Sequence, residues 1–376
     1  MEKRKEKRKK RVILAMSSGV DSSVAAALLK KQGYDVVGVF MHFWKEPGND
    51  ALRENKCCSL ESQEDARKVA HQLKIPLYTV NAAKEFKKEV VDYFLFETEN
   101  GRTPNPCVVC NEKIKFNFIF KKMLEMNADF VATGHYADIK EIDDLSAGRQ
   151  RKYHLFTSND EEKDQTYFLY NLKQEQLKKI IFPVGKYKKP QIRAMAKKMN
   201  IPVFDKDDSQ GLCFTPEKYP TEFIKRNLKL VEGEVVDTSG KKVGKHQGIQ
   251  LYTIGQRRGI NIGGDGPYYV VDRDFSKNCL VVTNNEKDPA IFRKKMLVEG
   301  KNWIAGEPKL PLETNVKIRY RHPLVRAIIK KPSIKRKTKS NIYEVEFLEP
   351  QKAVTPGQSA VFYSDEGEVL GGGVIL

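Results

Sequence analysis

The sequence predicts an α/β protein with a doubly wound parallel sheet, followed by a small central domain and a C-terminal β-barrel. Residues 12 to about 210 alternate short buried-strand patterns with helical patterns, which is typical of a parallel sheet covered by helices. After about residue 208, glycine and proline become frequent and helical periodicity fades. From about residue 277 onward short strands dominate, as in a small barrel.

The elements of the first region follow one another regularly. Short continuous apolar runs predict buried strands, and longer segments with apolar residues every three or four positions predict helices. The predicted strands are residues 12–14, 36–41, 76–80 and 129–133, and the predicted helices are 24–29, 62–73, 86–97 and 114–126. Ligands of such sheets bind beyond the carboxyl ends of the strands. Three turns fall at that edge, at residues 17–22, 41–44 and 134–136.

The second half predicts short strands at residues 233–237, 342–347 and 360–363, and short strands with turns at 248–255. Residues 316–321 alternate apolar and basic side chains, which predicts a half-buried strand with Lys317, Arg319 and Arg321 on one face. We therefore expect a basic extension at 1–11, a doubly wound α/β domain at 12–210, a small central domain at 211–276 and a barrel at 277–376.

Charge points to a polyanionic partner. The 376 residues include 67 Lys and Arg against 49 Asp and Glu, a formal net charge of +18, which fits RNA or DNA. No apolar run approaches the ~20 residues of a membrane span. The basic residues 1–11 lead into a short strand rather than a signal-peptide core. We expect a cytoplasmic protein with no membrane contact, monomeric when free.

Six cysteines are present, and without an export signal we expect them to be reduced. Cys107 and Cys110 have the spacing of a redox pair or of half a metal site, and the spacing also arises by coincidence. Cys57 and Cys58 are adjacent, which does not fit a zinc ribbon; they are extra thiols at the site or buried apolar residues. Cys110 lies near the start of a predicted helix, where the helix dipole favours a thiolate.

The segment between the first strand and the first helix has the properties of a phosphate-binding loop. Ser17, Ser18 and Gly19 are small residues that let an anion approach the backbone, and helix amides follow them. The alternative is an ordinary serine-rich helix cap. The loop lacks the lysine of the G-x-x-x-x-G-K-[ST] motif.

This loop resembles the PP-loop of ATP pyrophosphatases, usually SGGVDS, with Ser18 in place of a glycine. Seven segments together resemble the tRNA-specific 2-thiouridylases, which replace the 2-oxygen of the wobble uridine with sulfur. The resemblance runs from about Val12 to the C-terminus. It is carried by GVDSS at 19–23, GRTPNPCVVCN at 101–111, ATGHYA at 132–137, KDQTYFLY at 163–170, DSQGLCF at 208–214, TIGQRRG at 253–259 and IRYRH at 318–322.

The resemblance implies an adenine nucleotide alpha hydrolase-like fold, with a PP-loop ATP-binding catalytic domain at 12–210 and a tRNA-binding linker domain at 211–276. It implies ATP and Mg²⁺, with Asp21 near the metal. It implies Cys213 as the persulfide-carrying cysteine and Cys110 as the nucleophile. It implies tRNA as substrate, typically tRNAs for Lys, Glu and Gln, and a sulfur-relay protein or cysteine desulfurase as partner. The implied ATP contacts are Ala15, Met16, Ser17, Ser18, Gly19, Val20, Asp21, Ser22, Met41 and Gly134; the implied base and tRNA contacts are Asn105, Pro106, Cys107, Lys163, Asp164, Gln165, Arg319 and Tyr320.

Several alternatives stay open at this point. Met41 also fits a core strand position, and Arg319 a basic edge strand. Many members of the family have Asp where this chain has Cys107, so the general base is open, and Cys107, Cys110 and Cys213 form a hypothetical ligand set for a [4Fe–4S] cluster that delivers the sulfur. Another PP-loop ligase or amidotransferase would not need Cys110 and Cys213, and a non-catalytic RNA-binding protein is suggested only by Ser18.

Overall fold

The computed structural model describes residues 8–47, 59–144, 150–208, 211–215, 217, 219–260, 262–263, 267–332 and 341–376. Cys57 and Cys58 lie outside these residues. The chain divides into two compact units. The first comprises Met1–Val90 and Cys107–Lys218, and the second comprises Val91–Pro106 and Tyr219–Leu376. The second unit therefore takes a short piece from the middle of the first region.

A parallel sheet organises the first unit. In the part of the chain that the structure describes, five strands lie in the order β3-β2-β1-β4-β7, and each neighbouring pair is parallel. Their carboxyl ends share one edge, as the sequence predicted. The strands are β1 (Arg11–Ala15), β2 (Asp35–His42), β3 (Leu77–Asn81), β4 (Phe130–Thr133) and β7 (Ile180–Ile181).

Helices connect and cover these strands. The first helix is buried along nearly its whole length, because Val, Ala and Leu occupy most of its positions, and it packs on the sheet beside Ile192. A continuous helical stretch begins at Pro106, which suits a first helical turn because proline lacks the amide hydrogen that is unpaired there. The helices are α1 (Val20–Lys31), α2 (Leu60–Gln72), α3 (Ala83–Phe86), α5 (Pro106–Val109), α6 (Phe116–Glu125), α7 (Gln174–Leu177) and α8 (Lys189–Lys198), with π-helical segments at Lys87–Asp92 and Cys110–Lys115. Helix α4 (Tyr93–Glu99) belongs to the second unit.

Some elements of this unit were not predicted. Strands β5 (Asp138–Asp144) and β6 (Gln150–Phe156) form an antiparallel hairpin apart from the main sheet. Charged residues fill much of both strands, so their apolar periodicity is weak. Helix α8 was also missed, because lysines and a proline interrupt its apolar pattern even though Ile192 and Ala196 face the core.

The second unit begins with residues 91–106, which include α4. Helix α9 (Thr221–Asn227) follows residue 219, and a four-stranded sheet has the order β10-β11-β8-β9. Its core contains Val235, Val270 and Leu280. The strands are β8 (Gly233–Asp237), β9 (Lys242–His246), β10 (Tyr269–Asp274) and β11 (Cys279–Thr283).

The C-terminal strands form a closed barrel, which confirms the barrel predicted from the sequence. The strand order is β12-β15-β14-β13-β16-β17, and alternating side chains fill its interior. The strands are β12 (Phe292–Trp303), β13 (Leu312–Lys317), β14 (Val325–Lys330), β15 (Ile342–Lys352), β16 (Ser359–Tyr363) and β17 (Val369–Ile375).

One strand was predicted too far along the chain, at residues 316–321, whereas β13 spans Leu312–Lys317. Strand β13 ends at Lys317, and the next residues turn, with the His322 amide donating to the Arg319 carbonyl at 3.0 Å. Pro323 follows this turn and cannot donate to a strand ladder. Lys317, Arg319 and Arg321 therefore do not form the single basic face that their alternation predicted. Among the described residues, no helix combines the length and apolar character needed to cross a membrane.

Gly185 offers a test of packing in the first unit. A Cβ atom at this position would lie 1.8 Å from the carbonyl oxygen of Ala137, so Gly185→Ala must displace backbone. We expect the free energy of unfolding to fall by about 1–3 kcal/mol, as for overpacked sites. Chemical denaturation measures it, with Gly263→Ala as the control, because apart from its chain neighbours no atom of the described residues lies within 4 Å of a Cβ at that site. Equal stability of the two variants would contradict the described packing.

Candidate active site

The turn after β1 is held by serine hydroxyl groups. The Ser22 hydroxyl oxygen accepts from the Ser17 amide at 3.1 Å and also lies 3.1 Å from the carbonyls of Ser17 and Gly19. The Gly19 amide donates to the Ser17 hydroxyl at 3.2 Å. These contacts are local, so the sequence Ser17 to Ser22 itself fixes the loop without help from a ligand.

The first turn of α1 is open to an anion. The residue before the helix is Gly19, which has no side chain to accept from the first helix amides. Such amides have no partner inside the helix, and they carry the positive end of its dipole. Gly134, directly after β4, packs against this turn: a Cβ there would lie 2.7 Å from the Ser22 nitrogen. Only glycine allows this approach of β4 to the loop.

Ser18 occupies its position without strain. It is not among the described non-glycine residues with a positive φ, so the turn does not require glycine there. Its side chain is buried, and its hydroxyl donates to the Ser62 hydroxyl at 3.0 Å. Ser62 is in turn bonded to Ser59, which caps α2. The difference from the usual loop sequence is thus matched by a polar partner.

Met41 lies near the carboxyl end of β2, opposite Val80, and is 7% exposed. Both of its predicted roles fit this position, because a residue at that edge can fill the core and border a ligand. Its role as an ATP contact stays a prediction.

A charged network begins at Asp21 in the first turn of α1. The Lys189 ammonium group lies 2.8 Å from both carboxylate oxygens of Asp21, and the Tyr136 hydroxyl donates to one of them at 2.8 Å. Burial, together with the neighbouring Asp21 charge, raises the pKa of Tyr136, so its hydroxyl keeps the proton that it donates. Lys189 also contacts Asp208 at 2.7 Å, and its side chain is only 9% exposed.

The network continues from Asp208 to two further cations. Lys163 donates to Asp208 at 2.7 Å, and Arg193 contacts the same carboxylate at 3.1 Å. Partial burial opposes the ionisation of Asp208, but its bonds to Lys163 and Lys189 outweigh that effect and lower its pKa to about 2. Asp208 starts the DSQGLCF segment that carries Cys213, so the network connects the phosphate loop with the beginning of that segment.

Sequence reasoning missed Lys189, Arg193 and Tyr136. Tyr136 lies in the ATGHYA segment at 132–137, but nothing in the sequence indicated that its hydroxyl donates to Asp21. Lys189 and Arg193 are four residues apart and share one face of α8, which is the signal that could have been used.

The side chains of residues 163–165 turn into the first unit. Asp164 is 4% exposed and accepts from the Ser158 amide at 3.0 Å and the Thr166 hydroxyl at 2.6 Å. Gln165 accepts from the Tyr136 amide at 3.0 Å. The predicted tRNA contact of this segment remains a prediction, and the described bonds give Asp164 and Gln165 a role in holding the turn after β4.

His135 is held in a neutral form beside this turn. Its Nδ1 atom is 2.6 Å from the Thr133 hydroxyl, and its ring lies between the rings of Phe116 and Phe182. Burial, with a smaller effect of the Lys115 charge, lowers the pKa of His135 to about 3. A neutral imidazole can exchange hydrogen bonds with a ligand but does not supply charge at neutral pH.

Cys107, Cys110 and Cys213 all belong to the first unit, and none of them forms a disulfide. Cys110 is buried and begins the π-helical segment Cys110–Lys115, whereas Cys107 and Cys213 are partly exposed. The next residue, Asn111, donates to the Phe168 carbonyl at 3.4 Å. This bond connects the helix of Cys110 with residues 163–170.

The described residues do not form a preformed metal site. No three of their His, Cys, Asp or Glu side chains are grouped so that they could hold a metal ion. Cys107, Cys110 and Cys213 therefore do not meet as cluster ligands in this arrangement. Both oxygens of Asp21 contact Lys189, so Asp21 does not fit a direct Mg²⁺ ligand here. Mg²⁺ commonly takes much of its coordination from substrate phosphates and water.

The predicted base and tRNA contacts outside the first unit are Asn105, Pro106, Arg319 and Tyr320. Asn105 and Pro106 end the segment Val91–Pro106, in which the Thr103 amide donates to the Pro356 carbonyl at 2.9 Å. Arg319 is exposed and Tyr320 is partly buried, both in the turn after β13. The structure thus places Asn105 and Pro106 in a segment supported by the barrel, and Arg319 on the barrel surface.

Three family profiles match the chain in sequence. Residues 10–217 match a tRNA methyl transferase HUP domain, 221–284 a tRNA methyl transferase PRC-barrel domain, and 293–375 an aminomethyltransferase beta-barrel domain. Together with the parallel sheet and the closed barrel, these matches confirm the predicted fold class.

Curated relatives cover nearly the whole chain. A protein of Thermoanaerobacter sp. (strain X514), named tRNA-specific 2-thiouridylase MnmA 2, is 46% identical over 370 residues, 97% of each chain. One of Legionella pneumophila (strain Paris), named tRNA-specific 2-thiouridylase MnmA, is 43% identical over 373 residues, 98% of each chain. Among solved structures, the chain is similar to a 4-thiouridine synthetase–RNA complex with bound ATP. The match covers 58% of this chain and 50% of that chain, with 17% sequence identity and a TM-score of 0.35.

Ser18→Gly tests whether the serine hinders nucleotide binding. Because Ser18 needs no positive φ and its hydroxyl is bonded to Ser62, we expect the dissociation constant for ATP to change by no more than about threefold. Titration calorimetry with ATP and Mg²⁺ measures it. A gain of tenfold or more would mean that the hydroxyl obstructs the phosphates.

Asp208→Asn tests the charged network through acid stability. The pKa of Asp208 is lowered, so its carboxylate stabilises the fold above pH ~4, and this contribution is lost as the pH falls toward 2. The lowering corresponds to about 2 kcal/mol, which solvent screening reduces because the side chain is 26% exposed. We expect the parent to lose more stability than Asp208→Asn between pH 4 and 2, measured by urea denaturation. Asp207→Asn, which changes an exposed neighbour, serves as the control; equal slopes for the parent and Asp208→Asn would contradict the network.

Proposed function

Because the chain belongs to the family of tRNA-specific 2-thiouridylases, we propose that it is a tRNA-uridine 2-sulfurtransferase that uses ATP to thiolate the wobble uridine. Identities of 43–46% over at least 97% of the chain support the family. The net charge of +18 suits a tRNA substrate. The observation on which the mechanism depends is that the phosphate loop and the two proposed sulfur-carrying cysteines occur in one compact unit.

ATP activates the 2-oxygen of the uridine in this proposal. That oxygen attacks the α-phosphorus, pyrophosphate leaves, and the oxygen becomes part of an AMP leaving group. The open first turn of α1 binds phosphate oxygens through its amides and dipole. Lys189 adds a cation beside the loop. The nucleotide contacts are Ala15, Met16, Ser17, Ser18, Gly19, Val20, Asp21, Ser22, Met41 and Gly134.

Sulfur then replaces AMP in two steps. The terminal sulfur of a persulfide on Cys213 attacks carbon 2 and AMP leaves, which joins the base to Cys213 through two sulfur atoms. The Cys110 thiolate attacks the Cys213 sulfur, so the thiolated base is released and a Cys110–Cys213 disulfide forms. An external dithiol returns both cysteines to thiols. The persulfide comes from a sulfur-relay protein or a cysteine desulfurase.

Other residues contact the tRNA. The proposed substrates are the tRNAs for Lys, Glu and Gln. Asn105, Pro106 and Cys107 face the target base, and Cys107 stands where a carboxylate base is common in the family. Lys163, Asp164 and Gln165 are the proposed tRNA contacts of the first unit: the Lys163 side chain is 38% exposed and supplies positive charge, and the inward-turned Asp164 and Gln165 hold the segment that carries it. Arg319 and Tyr320 add contacts from the barrel, where an exposed arginine can pair with phosphate.

Cys110→Ser and Cys213→Ser should each abolish thiolated product, because a hydroxyl neither carries the persulfide sulfur nor forms the disulfide. We expect at least a 1000-fold loss, of the order reached when a covalent nucleophile is removed. The assay is ATP-dependent thiolation of a tRNA transcript with a persulfide donor, read by retardation in a mercury-containing gel. ATP affinity should stay within about twofold of the parent in both variants.

Cys279→Ser is the matched control, since this thiol begins β11 in the second unit and burial raises its pKa. It should retain parental activity. Product from either of the other two serine variants, or equal product without ATP, would refute the mechanism. No product from the parent would favour a non-catalytic RNA-binding protein.

A further inference from the structure

The segment before the cysteines is held by residues far along the chain. Within the second unit, the Arg273 guanidinium donates to the Gly101 carbonyl at 2.8 Å. The Gln358 side chain donates to the Thr103 carbonyl at 2.9 Å, and the Thr103 amide donates to the Pro356 carbonyl at 2.9 Å. The turn 101–103 is therefore fixed at both ends by later parts of the sequence.

Arg273 is an unusual support for this turn. It is 9% exposed, and its second donor group bonds the Tyr252 carbonyl at 2.8 Å, while its buried Nε atom has no acceptor among the residues that the structure describes. Burial lowers the pKa of Arg273 to about 10, so the group remains charged at neutral pH. A buried charge whose acceptors are backbone carbonyls is costly compared with an apolar side chain of similar volume. Stability alone therefore does not account for an arginine at this position.

The other half of the contact is shaped for Gly101. This residue has φ of +75°, which glycine adopts readily. A Cβ there would lie 2.6–2.9 Å from the ring of Phe275, and that ring also lies 5.7 Å from the Arg273 guanidinium carbon. Gly101, Arg273 and Phe275 thus form one fitted contact, which we name the turn support.

We propose that Arg273 is a positioning residue that sets the placement of residues 101–106 and, through them, of Asn105 and Pro106 for the reaction. The rigid fork of a guanidinium can bond two carbonyls at once, here those of Gly101 and Tyr252, which are 151 positions apart in the sequence. An apolar residue would fill the space but would not fix the turn. This inference rests on the proposed function, in which Asn105 and Pro106 face the target base.

Loss of Arg273 is expected to change the reaction rate and not the affinity for tRNA. Phosphate contacts supply most of the affinity for nucleic acid, and Arg273 is too buried to make one. A misplaced base, in contrast, slows the chemical step, by ~100-fold for a displacement of about 1 Å. Loss of the turn support should therefore lower kcat and leave KM for tRNA nearly unchanged.

The decisive variant is Arg273→Met, which keeps the volume and removes the donors. We expect its thermal midpoint to stay within about 5 °C of the parent, because removing a buried charge offsets the loss of the two bonds to the Gly101 and Tyr252 carbonyls. We expect kcat to fall ~100-fold with KM for tRNA within about twofold. Arg273→Lys, which keeps a charged donor, should recover kcat to within about tenfold of the parent.

Lys277→Met is the matched control: it removes a cation in the turn after β10, but its side chain is 78% exposed. It should behave as the parent. Hydrogen exchange gives a readout independent of activity, and peptides covering residues 99–106 should exchange faster in Arg273→Met while barrel peptides do not. Parental kcat in Arg273→Met, or a loss confined to KM, would overturn the inference.

Gly101→Ala attacks the same contact from the other side and decides the matter if Arg273→Met does not fold. A lower kcat with unchanged KM supports the inference, and parental kcat overturns it. The proposed function fails separately: it falls if the parent makes no thiolated tRNA, whereas unchanged exchange of residues 99–106 in a folded Arg273 variant refutes the positioning role alone.

Discussion

The buried ammonium group of Lys189 connects the phosphate loop of the first unit with the segment that carries Cys213. It lies between Asp21 in the phosphate loop and Asp208 at the start of the Cys213 segment. A buried cation requires opposite charge nearby, so removing either carboxylate would leave it poorly compensated. Because α8 supplies Lys189 and also packs against α1, the same helix supports the loop by apolar contact and by charge. A bound triphosphate would compete for this cation and so would act on both carboxylates together.

The phosphate loop itself depends on small polar side chains rather than on glycine alone. Hydroxyls of Ser17 and Ser22 hold the turn, and the Ser18 hydroxyl reaches Ser62 in α2. Beside this loop, glycine is required at Gly134, where an added Cβ would lie within about 3 Å of the backbone of α1. Because its own side chains hold this loop, binding has less ordering to impose on it.

The sequence predicted the sheet, the barrel and most strands of the first unit, because their apolar runs are short, continuous and bounded by turns. It failed where polarity hides the period, as in the β5–β6 hairpin and in α8. It also extended β13 through Arg321, because alternation alone does not register the turn at Arg319 before Pro323. Phosphate-loop residues could be named from local pattern. Lys189, Tyr136 and Arg273 could not, since each has a partner in a distant part of the sequence: Asp21 for Lys189 and Tyr136, and Gly101 for Arg273, at separations of 115 to 172 positions.

The excursion of residues 91–106 into the second unit has a consequence for dissecting the protein. A fragment that stops near residue 218 keeps this stretch but lacks Arg273, Pro356 and Gln358, which hold its carbonyls and amides. The three regions that match family profiles, 10–217, 221–284 and 293–375, therefore cannot be exchanged independently of one another. Grafting the barrel of a relative onto this chain would keep or break the bonds from Pro356 and Gln358 that hold a peptide 255 positions earlier in the sequence.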